Sequence, residues 1–115
     1  MKPEIKKLMF DIVDSATIIQ EYLASVADLA SYRADQKTID AVERRLAMIG
    51  EALWKANKMD QTIVVTGKPK IIALRHILVH DYDLVEDETV WVICKKHLPV
   101  LKREAEMILG LTTND

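Results

Sequence analysis

The sequence predicts an all-α protein, an up-down bundle of four or five helices that pairs with a second copy, in one domain spanning residues 1–115. Three observations carry this. Apolar residues recur at alternating steps of three and four in each long segment, the period of a buried helical stripe. Helix breakers are scarce, with three glycines and three prolines in 115 residues. One run, 62–66 (Thr-Ile-Val-Val-Thr), has strand propensity, and with no second run to pair with it reads as a loop.

In chain order, the first helix is expected over about residues 3–29. Pro3 suits a first turn, and Leu8, Ile12, Ser15, Ile19, Tyr22 and Val26 form its seam. Residues 30–36 read as a connection, with Asp35 as N-cap of a second helix over about 36–57. There Ile39, Val42, Leu46, Ile49 and Leu53 repeat the seam and make this helix the antiparallel partner of the first. Gly50 lies beside that stripe. A mid-helix glycine costs about 1 kcal/mol relative to alanine, so close approach of another helix is its expected reason. Arg44, Met48, Glu51 and Lys55 share the other face and, like Asp11 and Asp14 on the first helix, read as solvated.

Gly67 and Pro69 punctuate the entry to the central helix, which Asp81 and Asp83, poor helix formers, are expected to end near His80, with Tyr82 starting a short acidic connection. After an acidic turn, Asp87 or a neighbour caps a last helix reaching about 109, with Trp91, Cys94, Leu98, Leu101, Ala105 and Ile108 on its core stripe and Pro99 kinking it. Cys94 reads as a small buried apolar residue and His97 as a surface histidine.

Sixteen Lys and Arg against eighteen Asp and Glu give a formal net charge of −2. The chain therefore lacks the global positive charge of a non-specific nucleic-acid binder, and a polynucleotide would have to be met at a local site. No apolar run approaches the roughly 18 residues of a membrane span. The start, Met-Lys-Pro-Glu, shows no signal-peptide core, and a single cysteine excludes an internal disulfide. A soluble, cytoplasmic protein is the expectation.

The central stretch 71–82, IIALRHILVHDY, carries the chemistry. Ile71, Leu74 and Leu78 mark one buried stripe, while Ile72 and Val79, with His76 between them, point the other way. A helix apolar on both sides needs a second cover, and another copy of the chain is the simplest. Arg75 and His80 diverge by roughly 140° and rise about 7.5 Å on a regular helix. They share one site if the helix ends near His80, if the arginine wraps round, or if a two-fold axis brings two chains together.

His76 and His80 have a spacing that can hold zinc, but no glutamate follows His76 and no third ligand is fixed by spacing, so neither a metal site nor a cofactor is expected. Arginine with histidine suits phosphoryl chemistry. The guanidinium can hold a phosphate and offset its developing charge, and an imidazole titrating near neutrality can move a proton. RNA supplies its own nucleophile, the 2′-hydroxyl. The plainer alternative is that His80 ends a helix favourably while Arg75 pairs with a carboxylate such as Glu51.

RHILVHDY resembles the Arg-x-x-x-x-His-x-Tyr signature of HepT-like toxins in the HEPN ribonuclease superfamily. VERRLAMIGEAL resembles that family's second-helix segment, and WVICKKHLPVL its Trp, spacer and Leu-Pro tail. The position after the arginine, commonly Asn in the family, is His76 here. The resemblance implies a helical homodimer that cuts RNA without metal through a composite cleft. Arg75 and His80 would be its catalytic residues, His76 a supporting one, and DNA not a substrate. It further implies a partner, an MntA-like nucleotidyltransferase antitoxin that silences the toxin by transferring AMP to Tyr82. The other reading the sequence leaves open is a non-catalytic helical module that docks on, or is modified by, such a nucleotidyltransferase.

Overall fold

The computed structural model describes residues 1–110, and every regular element among them is helical. Helix α1 spans Pro3–Leu23, α2 Leu29–Arg33, α3 Gln36–Met59 and α4 Lys68–His80. A 3-10 turn, Tyr82–Leu84, leads to α5 (Asp87–Val92), a π-helical turn (Ile93–His97) and α6 (Leu98–Leu109).

Local chemistry sets these limits. Asp35 caps α3 by accepting from the Thr38 backbone N–H at 3.1 Å and its hydroxyl at 2.7 Å, as the sequence predicted. The expected run of the first helix to residue 29 is corrected. It stops at Leu23, and Asp28 caps a separate short helix by accepting from Ser31 N–H at 2.8 Å. The aspartate three residues before Ser31 competes with the helical backbone and turns the chain, so residues 30–33 are helix and not connection. Gly67, at φ 75°, turns the chain into α4, with Pro69 in the first turn. Loop 61–67 is not strand, and Ile63 and Val65 point inward from it. Of Asp87 and its neighbours it is Glu86 that holds the N-cap position of α5, with no side-chain cap bond among the described residues.

Pro99 has no N–H, so the helical bond to Lys95 C=O cannot form. The last helix accommodates this with the π-helical turn just upstream, where Leu98 N–H reaches Ile93 C=O.

Helix α1 packs against α3 on one side and α6 on the other, and α3 in turn carries α4. Being flanked twice, α1 buries Ile5, Met9, Ile12, Ala16, Ile19 and Leu23 with Ser15, and the expected seam residue Tyr22 is 38% exposed. The predicted α3 stripe is buried in full, as are Cys94, Leu98, Leu101 and Ala105 of the last helical segment. The principal neighbour of α4 is α3 alone. The four long helices thus form an open row, α4–α3–α1–α6, measuring 42 × 33 × 18 Å, and no residue of α4 is fully buried. No helix among the described residues is long and apolar enough to cross a membrane.

Candidate active site

Gly50 decides how α4 meets α3. A Cβ there would collide with the Cβ of Arg75 and lie 3.2 Å from the Ile71 carbonyl oxygen, so α4 can rest on α3 at this point only because the side chain is missing. Close approach of another helix was the expectation for Gly50, and the approaching residue is the motif arginine itself.

From that contact the Arg75 side chain, 21% exposed, runs along α3. Its Nε donates to Glu51 Oε2 at 2.5 Å, and its guanidinium carbon lies 4.6 Å from the centre of the Trp54 ring. Glu51 Oε1 also faces Lys55 Nζ at 3.7 Å. The carboxylate and the indole, three residues apart on α3, therefore present one face to α4. Glu51 fulfils the pairing that the plainer alternative named, and it is not simply solvated as its helix face suggested. Only Nε is engaged. No acceptor among the described residues takes a hydrogen bond from the terminal Nη groups.

Helix α4 ends as the motif requires. Asp81 N–H makes the last helical bond, to Ile77 C=O at 2.9 Å, and Asp81 then leaves helical geometry at φ −131°, ψ 44°. His80 is thus the last helical residue, exposed like His76, and the two imidazole rings lie 4.7 Å apart, tilted by 47°. Tyr82 opens the 3-10 turn and is 72% exposed. One chain brings Arg75 together with Glu51 and Trp54, and His76 together with His80. It records no hydrogen bond between the arginine and either histidine.

Two apolar residues of α4 stay open, Ile77, 36% exposed, and Val79, 51% exposed, and being two positions apart they sit on opposite flanks of its outward arc. Val79 borders a groove of about 390 Å³ between α1 and α3, walled by Leu8, Asp11, Asp14, Arg44, Met48 and Glu51. Asp11 is paired with Lys7 at 2.7 Å. His97 lies exposed on the π turn, away from this groove's walls. Cys94 is buried, and burial pushes its thiol up to about 12, so it stays protonated and unreactive. Among the described residues no three His, Cys, Asp or Glu side chains converge as a metal site would need.

Sequence reasoning passed over Trp54. The signal was its register on α3, three residues after Glu51 and four before Lys58, whose ammonium lies 4.5 Å from the ring centre.

The family model described as Ribonuclease HepT-like matches residues 12–108, which include the whole of α3, α4 and the turn bearing Tyr82. A protein of Methanocaldococcus jannaschii named "Putative RNase MJ1380" is 28% identical over 108 residues, covering 93% of this chain and 98% of that protein. No solved structure matches the chain. With a family model spanning most of its length, including the Arg75-to-Tyr82 segment, this chain belongs to the HepT-like ribonuclease family.

Proposed function

We propose that the protein is an endoribonuclease toxin in which Arg75 binds the scissile phosphate and His80 transfers protons, with His76 in support. The observation that carries this reading is the way Arg75 is held. Glu51 takes its Nε and Trp54 supports its plane, leaving the Nη edge as a fork for two phosphate oxygens. Pre-positioned donors of this kind act where charge builds in the transition state.

The RNA 2′-oxygen would attack the adjacent phosphorus, and the bond from phosphorus to the 5′-oxygen would break. One imidazole takes the 2′-hydroxyl proton and a second protonates the departing 5′-oxygen, giving a 2′,3′-cyclic phosphate and a 5′-hydroxyl. Two proton-transfer groups on opposite sides of one phosphate call for two motifs. A second copy, packed over the outward arc of α4 that Ile77 and Val79 flank, supplies the other. In this reading the homodimer is the active unit, and the chemistry uses no metal.

Tyr82 is the regulatory residue in the same reading. Its hydroxyl is open to a partner enzyme and lies two residues from His80, so an AMP transferred to it by a nucleotidyltransferase antitoxin would place a phosphate where the substrate belongs.

The test compares purified wild-type protein with Arg75→Ala and His80→Ala on RNA. Loss of a well-placed acid–base group costs about 10²–10⁴-fold in rate, so His80→Ala should fall in that range and His97→Ala should change little. Full activity in His80→Ala, or cleavage abolished by EDTA, rejects the mechanism. A second reading, a non-catalytic module modified by a nucleotidyltransferase, is favoured by one observation: Arg75 is already ion-paired, as a structural arginine would be. Wild-type protein that cuts no RNA yet gains an AMP mass increment at Tyr82 selects that reading.

A further inference from the structure

The end of α3 and the start of α1 border a second, wider groove of about 820 Å³, which adjoins the one beside Val79 and shares Lys7, Leu8 and Lys55 with it. Leu8 and Met59 give it apolar walls, Trp54 stands in its side, and its charged rim is Lys7, Lys55 and Lys58 against Glu4. Lys7 is paired with Asp11 and Lys55 with Glu51, so the ammonium left free at this rim among the described residues is that of Lys58, on a chain whose formal net charge is −2. The groove's aromatic wall is the same indole that supports Arg75 from the other helix. Arg75 does not line the groove, but the indole that walls it lies 4.6 Å from the guanidinium that the proposed mechanism gives to the scissile phosphate.

We propose that this groove is a subsite for the single-stranded RNA flanking the cleaved bond, an inference that rests on the ribonuclease reading above. A base stacks on Trp54, and Lys55 and Lys58 meet the neighbouring phosphates. Flat apolar rings accept any base, while ammonium groups at the rim follow the backbone, which is the pattern of sequence-tolerant single-strand binding. Lys58 lies over the indole, is exposed and makes no salt bridge among the described residues. It can swing from the ring to a phosphate when a base arrives, exchanging a cation–π contact for a charge-assisted one. The strand would then run from the Arg75 Nη edge across Trp54 toward Met59, so this family member should need unpaired nucleotides on that side of the cut.

The probe is a short 2′-O-methyl oligoribonucleotide, which lacks the attacking hydroxyl and stays intact. Added to wild-type protein it should quench tryptophan fluorescence, and in Trp54→Phe, which keeps Trp91, the quenching should disappear. Trp54→Ala should bind the probe about 5- to 150-fold more weakly, the range of one lost base–aromatic stack. Lys58→Ala, an exposed change that leaves the fold intact, should lower the slope of log affinity against log salt by about 0.7, the loss of one single-strand phosphate contact. Equal quenching in Trp54→Phe, or affinity untouched by both Trp54→Ala and Lys58→Ala, overturns the subsite. So does an unquenched wild type whose dimer mass is lost in Trp54→Ala, since the groove would then be covered by the second copy. These outcomes are separate from the parent reading. Failure of the subsite leaves cleavage lost in His80→Ala, whereas failure of the ribonuclease reading would show probe bound at Trp54 and RNA left uncut by wild type.

Discussion

Tyr32 is fully buried against Trp91, with ring centres 5.5 Å apart, and its hydroxyl has no hydrogen-bond partner among the described residues. Burial strongly raises its pKa, so the phenol is neutral at any working pH, and what remains is a desolvated donor with nothing to meet. An unsatisfied buried hydroxyl costs about 1–3 kcal/mol, so Tyr32→Phe should leave the melting temperature unchanged or raise it. A fall of several degrees would show that the hydroxyl has a partner after all. Tyr32→Ala should cost about 3–5 kcal/mol, by analogy with aromatic truncation in other cores.

Glu43 is also held against its preference. Desolvation first, then the nearby Asp87 and Asp40 carboxylates, raise its pKa above the ordinary value. The folded state thus binds this proton more tightly than the unfolded chain, and stability falls as pH climbs through the raised pKa. Glu43→Gln should therefore raise the melting temperature near neutral pH, with the gain vanishing in acid below the ordinary carboxylate range. A gain of the same size at both pH values would mean that charge is not its origin.

At the scale of elements, the meeting of α3 and α4 is set by Gly50. Alanine there would add roughly 1 kcal/mol of helix propensity yet force Arg75 outward, and overpacking of this kind costs about 1–3 kcal/mol. Gly50→Ala should then lower stability and RNA cleavage together, read by thermal melts and single-turnover rates. Cleavage at the wild-type rate would show that Arg75 need not sit where Gly50 lets it. The glycine's purpose was legible in the sequence because an unforced mid-helix glycine is costly. The stripe of α3 was legible although that helix is also flanked twice, because α4 meets it at Gly50, Glu51 and Trp54 and leaves the large aliphatic residues on one regular stripe. The α1 seam was less so, because a helix packed on two sides buries a wider arc than a heptad rule supplies. The candidate site was half legible. Arg75, His76, His80 and Tyr82 form a local motif, and Glu51 could be named as a partner. Trp54 joins the arginine across 21 residues of chain, and nothing local marks a tryptophan as a support for a cation on another helix.

The whole molecule is a row of helices, and a row has ends. Helix α6 at one end continues the helical segment that begins at α5, whereas α4 at the other rests on α3 with Ile77 and Val79 outward. If a second copy covers that side, Val79→Glu should give a monomer or an aggregate by light scattering and reduce cleavage. A wild-type protein that is monomeric at micromolar concentration would sink the idea. The lone support of α4 also sets a timescale. An element with one neighbour opens locally at a lower free energy than one packed on both sides, so α4 amides should exchange with deuterium well before those of α1. If a second copy covers α4, dilution should widen that gap and concentration narrow it, and the motif helix would then be kept closed by the abundance of the protein itself; a gap independent of concentration would count against that cover.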